Sequence, residues 1–114
     1  MMKIEELGDK QSKVNIELKV IYDKMAEGQH FGKRSKTLVV VDADCEEGGT
    51  SALLDLFGDD VDIYKFGDKL RVVNGFAKKI VTKRGEQMMI TYGFLNGELI
   101  GHYEKIEGPV KDEK

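Results

Sequence analysis

Ala52-Leu53-Leu54-Asp55-Leu56-Phe57 constrains the fold of this chain more than any other stretch. In an extended strand, alternate residues point to opposite faces, so Ala52, Leu54 and Leu56 fall on one side and Leu53, Asp55 and Phe57 on the other. The first set reads as a core face. The second set holds an acid and, at the strand's end, a large ring, and Gly58-Asp59-Asp60 then stops the strand in a turn. Phe57 has two readings at this level: a surface on which another flat ring stacks, or a lid over the end of the core.

The rest of the chain reads in order from the same rules. Ile4-Glu5-Glu6-Leu7 predicts one helical turn or a strap, ended by Gly8. Val14-Asn15-Ile16-Glu17-Leu18-Lys19-Val20 alternates apolar and polar without exception, a half-buried first strand. The pattern breaks over 23–35 into a long basic loop containing Lys24, His30, Phe31, Lys33 and Arg34. Residues 36–44, dominated by Thr37, Leu38 and three valines, predict a second strand. Acids and paired glycines over 44–49 form a turn into the third strand, 52–57.

An aspartate at a capping position, apolar Val61 and Tyr64, and a stop at Gly67 predict a helix of about two turns over 59–66. Lys69 opens a fourth strand that reaches Phe76, with Gly75 marking a bulge beyond which the alternation is not extrapolated. Residues 78–86 form a second basic loop and 87–92 a fifth strand, in which Met88 and Ile90 face the core and Met89 the opposite side. Asn96-Gly97, set between Phe94-Leu95 and Leu99-Ile100, signals a two-residue hairpin whose apolar residues are expected to be covered by the barrel.

Composition limits what such a chain does. With 114 residues, 34% charged and 40% hydrophobic, it fits one domain (1–108) with a charged tail (109–114), large enough to bury a core without metal or disulfide. The net charge of −3 argues against an overall polycation that binds nucleic acid by bulk attraction, so any such binding rests on a local patch. Residues 24–36 hold four basic residues against Glu27, and residues 78–86 hold four against Glu86, leaving −9 for the remainder. That separation points to an anionic-ligand site at the two loops, against the alternative of ordinary solvated charge. Cys45 stands alone, which excludes an internal disulfide and multi-cysteine zinc sites and suits a reducing, intracellular, cytoplasmic setting. The longest aliphatic run, Leu38-Val39-Val40-Val41, is far short of the roughly 20 residues a membrane span needs.

Five short strands with a helix between the third and fourth is the order of an OB-fold. This is an all-β, five-stranded Greek-key barrel that binds oligonucleotides on strands two and three and on the loops joining strands one to two and four to five. Those are the two basic loops, and the Asn96-Gly97 hairpin is an addition to the barrel. Lys3-Ile4-Glu5-Glu6-Leu7, Ala52-Leu53-Leu54-Asp55-Leu56-Phe57-Gly58 and Phe66-Gly67-Asp68-Lys69-Leu70-Arg71-Val72 then resemble the archaeal single-stranded DNA-binding proteins and replication protein A domains. The resemblance implies base stacking on Phe57 and Phe76, with a third stacking position at Ile80, which is aliphatic here; that departure weakens the ligand site or moves part of its work to Phe31 or His30. Lys33, Arg34, Lys36, Lys78, Lys79, Lys83 and Arg84 would hold phosphates. Single-stranded DNA is the expected partner, with other replication or repair proteins as associates. RNA is the nearest competitor, because the same platform accepts ribose, and a protein-interaction module whose basic loops only keep it soluble is the alternative of another class. No cofactor or enzymatic activity is expected, and a monomer is expected with the hairpin covered by the barrel.

Other chemistries are weaker. Asp42, Asp44, Glu46 and Glu47 resemble a calcium loop, but Leu53 stands where the bidentate acid belongs and Glu47 where glycine is required. His30, His102 and Cys45 share no catalytic motif, and the acids beside Cys45 disfavour its thiolate. Tyr22, Tyr64, Tyr92 and Tyr103 are read as structural aromatics.

Overall fold

The computed structural model describes residues 2–30, 32–44 and 49–106. Among these residues nine strands follow one another: β1 (Gln11–Tyr22), β2 (Gly28–His30), β3 (Lys33–Asp42), β4 (Ser51–Phe57), β5 (Lys69–Thr82), β6 (Gly85–Thr91), β7 (Phe94–Leu95), β8 (Glu98–Leu99) and β9 (His102–Ile106). β1 pairs with β3, β3 with β4, β4 with β6, β6 with β5, and β5 returns to β1, so the sheet is strongly curved and barrel-like. Every pair in that ring is antiparallel except β4 with β6, where Leu53 lies beside Met89. Among the described residues no helix is long and apolar enough to cross a membrane.

Alternation places the core as the sequence predicts. Val14, Ile16, Leu18 and Val20 of β1 are buried, as are Ala52, Leu54 and Leu56 of β4, and they meet Leu38, Leu70, Val72 and Ile90 inside the sheet. Ile4 and Leu7 are buried too: a 3-10 turn, Ile4–Glu6, lays the strap against the core, and the Ile4 N–H donates to Asp42 Oδ1 at 2.9 Å. Asp44 pairs with Lys3. Two acids of the calcium-like pattern thus hold the strap, while Cys45, Glu46 and Glu47 lie outside the described residues.

β5 carries the bend that closes the ring. One extra residue sits in it between Val72, opposite Ile16, and Gly75, opposite Val14, and Asn74 takes φ 53° to accommodate it. Leu70 and Val72 face inward before the bulge, and Gly75 and Ala77 after it. Only glycine fits at 75, because a Cβ there would stand 2.4 Å from Val72 Cγ1.

Four expectations are corrected. The helix expected over 59–66 is a five-residue 3-10 turn, Gly58–Asp62. Asp68 takes the Lys65 N–H and Asp23 the Phe66 N–H, so side chains replace the carbonyls that would propagate a helix. The second basic loop is a continuous hairpin, with β5 running on to Thr82 and turning at Lys83-Arg84 into Gly85. The first is shortened by β2, which pairs with β3 from Gly28↔Ser35 to His30↔Lys33. Finally, the barrel does not cover the Asn96-Gly97 hairpin: Phe94, Leu95, Leu99 and Ile100 remain 54%, 59%, 57% and 45% exposed. β6 and β9 lie end to end along β5, with Thr91 opposite Phe76 and His102 opposite Val73, so the hairpin is an excursion that leads outward from one long strand line.

Candidate functional site

Register brings one outer face together from four strands. Val39, Leu53, Met89 and Lys78 form a row straight across β3, β4, β6 and β5. In the neighbouring pairs, Thr37 opposes Asp55 with Thr37 Oγ1 donating to Asp55 Oδ1 at 3.2 Å, and Phe76 opposes Thr91. Phe57 ends β4 opposite Ser35, and Ile80 opposes Gln87. The face is therefore apolar with a few polar groups, on a strand scaffold whose reverse side is the core. Met88 packs against that core and Met89 lies on the outer face, as their parity requires.

Two cavities lie on this face. Phe57, Phe76, Lys78, Asp55, Thr91, Phe94 and Tyr92 border one of about 360 Å³. The larger, about 660 Å³, is bordered by Tyr22, Met25, Val39, Leu53 and Gln87 and by Lys83 and Arg84 at the hairpin turn. Rings and cations thus occur at both, in proportions suited to stacking a base and holding a phosphate. Two further cavities carry mixed charges. One lies under the N-terminal strap, where Lys3, Asp42 and Asp44 are engaged with each other or with the backbone, and one lies at the barrel end among Asp23, Glu27, Lys36 and Asp62.

Phe57 is half-buried and packs against the core. Its ring stacks on Tyr92 at 5.4 Å, Tyr92 stacks on Tyr103 at 4.3 Å, and Tyr103 meets Tyr64 edge-on at 6.3 Å. The column is pinned by hydrogen bonds: Tyr92 O–H donates to Asp60 Oδ2 at 2.6 Å, and Tyr103 O–H donates to the Asp55 carbonyl at 2.7 Å. Burial pushes the Tyr64 phenol up to about 12. Burial first, and the Asp60 bond second, push Tyr92 higher still, and burial raises Tyr103 well above the usual phenol value. The three tyrosines are structural, as expected; Tyr22 is half-exposed and borders the larger cavity.

The basic residues expected to act together are divided by the fold. Lys78, Lys83 and Arg84 border the two cavities, and Lys33 shares strand parity with Ser35 and so faces the Phe57 side. Arg34 faces the other way. Its guanidinium donates two bonds to Glu27, at 3.0 and 2.9 Å, and two to Asp62, at 2.7 and 3.0 Å. Those two carboxylates, Asp62 first, raise the Arg34 pKa, and Arg34 in turn holds both acids below their usual range. The guanidinium's donors are thus committed to carboxylates rather than turned to the Phe57 side. Lys36 lies opposite Leu56 and borders the barrel-end cavity with the same acids. Lys79 points away from Lys78, its N–H donating to Asp9 and its ammonium 4.0 Å from Glu86. The His30 side chain and the whole of Phe31 lie outside the described residues.

Tyr22, Met25, Gln87 and Phe94 enter the site without having been expected there. Strand parity was a usable signal for Gln87, two residues before Met89 on the same face. Nothing local signals the other three, which arrive from the end of β1, from the segment after it and from the outward hairpin. The chain matches no protein-family model, and no curated protein is significantly similar to it.

Proposed function

We propose that the chain is a non-catalytic OB-fold module that binds single-stranded DNA without strong sequence preference, in the manner of the archaeal single-stranded DNA-binding proteins. The strand order supports the fold: β1, β3 and β4, a 3-10 turn, then β5 and β6, in a curved sheet that closes on itself. The observation that carries the function is the convergence of Phe57 and Phe76, from different strands, on one cavity with Lys78. Every base has a π-face, so such a platform tolerates sequence, and the lysine and the Lys83-Arg84 turn hold the backbone. Action in replication, repair or recombination follows from that binding.

RNA is the nearest competitor, because the same face accepts ribose. The different reading, a protein-interaction module, draws on the exposed apolar hairpin, Phe94 to Ile100. Titration of labelled single-stranded DNA, single-stranded RNA and duplex DNA separates the three. Tightest binding to single-stranded DNA is expected; equal and negligible affinity for all three overturns the nucleic-acid reading in favour of a protein partner.

A further inference from the structure

The outward hairpin is built to hold a fixed position. Asn96 and Gly97, at φ 52° and 82°, make its two-residue turn, and the carbonyl of Gly93 accepts the N–H groups of both Ile100 and Gly101, at 2.9 and 3.2 Å. At the base the backbones are pressed together: a Cβ on Gly93 would stand 2.1 Å from the Asn74 carbonyl oxygen, and one on Gly101 2.4 Å from the same atom. The hairpin is thereby clamped to the bulge of β5, two residues before Phe76. Phe94 is more than half exposed and yet borders the cavity that holds Phe57, Phe76 and Lys78.

We propose that Phe94 is a third stacking ring for single-stranded DNA, mounted on the hairpin as a jaw of the Phe57–Phe76 site. The inference rests on the function proposed above. It assigns to an inserted hairpin the work that Ile80, aliphatic and facing Gln87 one row further along the face, cannot do by π-stacking. The remaining hairpin side chains fit this geometry. Phe94 is paired with Leu99 and Leu95 with Glu98, so an apolar and a mixed face alternate across the ribbon.

The test measures binding of a fluorescein-labelled oligothymidylate by wild type, Phe57→Ala, Phe94→Ala, Phe94→Leu and Phe94→Tyr, with the urea midpoint of each. Phe94→Ala is expected to weaken binding about fivefold to over a hundredfold, the range for removing one base stack, with an unchanged midpoint because the ring is exposed. Phe94→Leu should lose affinity with it, and Phe94→Tyr should retain it. Wild-type affinity in Phe94→Ala, while Phe57→Ala loses binding, overturns the inference and leaves the function standing. Full affinity in Phe94→Leu shows that any apolar cover suffices and overturns the stacking role. Absence of wild-type binding overturns both proposals. A dimer by light scattering that Leu99→Lys dissolves also overturns the inference, since the hairpin would then be buried between copies.

Discussion

The phenolic oxygen of Tyr92 accepts the backbone N–H of Phe57 at 3.1 Å while the two rings lie stacked, 22° from parallel. The aromatic at the end of β4 is therefore held by its main chain and its side chain at once, through a residue 35 positions away. Pre-positioning of this kind lowers the entropy lost when a ligand ring is added to the stack.

Phe57→Ala is accordingly expected to affect two quantities. Single-stranded DNA affinity should fall about fivefold to over a hundredfold. Stability should fall by about 1–3 kcal/mol, less than the roughly 3–5 kcal/mol of a fully buried phenylalanine. Leu56→Ala, on the core face, should cost about 2–5 kcal/mol and leave the affinity of the folded protein unchanged. Urea midpoints and titrations on one preparation check both; unchanged affinity in Phe57→Ala under native conditions removes stacking from this residue.

Tyr92→Phe keeps the ring and removes the hydroxyl, leaving the Phe57 amide and the Asp60 carboxylate each short of a partner. Destabilisation of about 1–3 kcal/mol is expected. A midpoint equal to wild type would mean that water replaces the hydroxyl at no cost.

Salt dependence separates the cations that face the site from those that do not. If Lys33, Lys78, Lys83 and Arg84 neutralise about four phosphates, the logarithm of affinity should fall against that of salt with a slope near −3, at roughly −0.7 per phosphate. The double Lys83→Ala, Arg84→Ala should halve the slope. Arg34→Ala should leave it unaltered, because Glu27 and Asp62 already claim that guanidinium; a comparable loss of slope in Arg34→Ala would show that the pairs open on binding.

Alkaline pH should unfold the protein through its tyrosines. A phenol whose folded pKa is raised above the unfolded value near 10 adds stability fully present below pH about 10, and that stability is lost as pH rises through the folded value. For Tyr64 that upper value is about 12. In a Tyr22→Phe background, tyrosinate absorbance at 295 nm and loss of circular dichroism should therefore rise together above pH about 10; ionisation of Tyr64, Tyr92 and Tyr103 near pH 10 with the fold intact would contradict their burial.

Gly101→Ala should cost about 1–3 kcal/mol, an overpacking penalty, since its new methyl would collide with backbone rather than with a movable side chain. Gly97→Ala meets open space and suffers only the left-handed backbone strain of about 1–2 kcal/mol. Affinity should fall in Gly101→Ala if the hairpin's position matters to binding, as measured by the same titration.

Period-two alternation, a local property of six or seven residues, was enough by itself to place Val14 to Val20 and Ala52 to Leu56 with the correct residues inward; Gly75 marked the bulge because no Cβ fits there, and Asn96-Gly97 marked the turn because few other residues adopt its backbone angles. Tertiary structure decided everything that depends on partners distant in sequence. Residues 78–82 are strand rather than loop because β6 supplies the hydrogen bonds; the segment 63–66 is not helix because Asp23 and Asp68 take its N–H groups. Charge counted along the chain joined Arg34 and Lys36 to the binding loops, whereas in space Asp62, 28 residues on, cancels Arg34. The site shows the same division: the parity of Phe57 is written in its own strand, but the Tyr92 beneath it, the Phe76 beside it and the Phe94 across from it are brought there by sheet closure, a long-range event for which no local pattern codes.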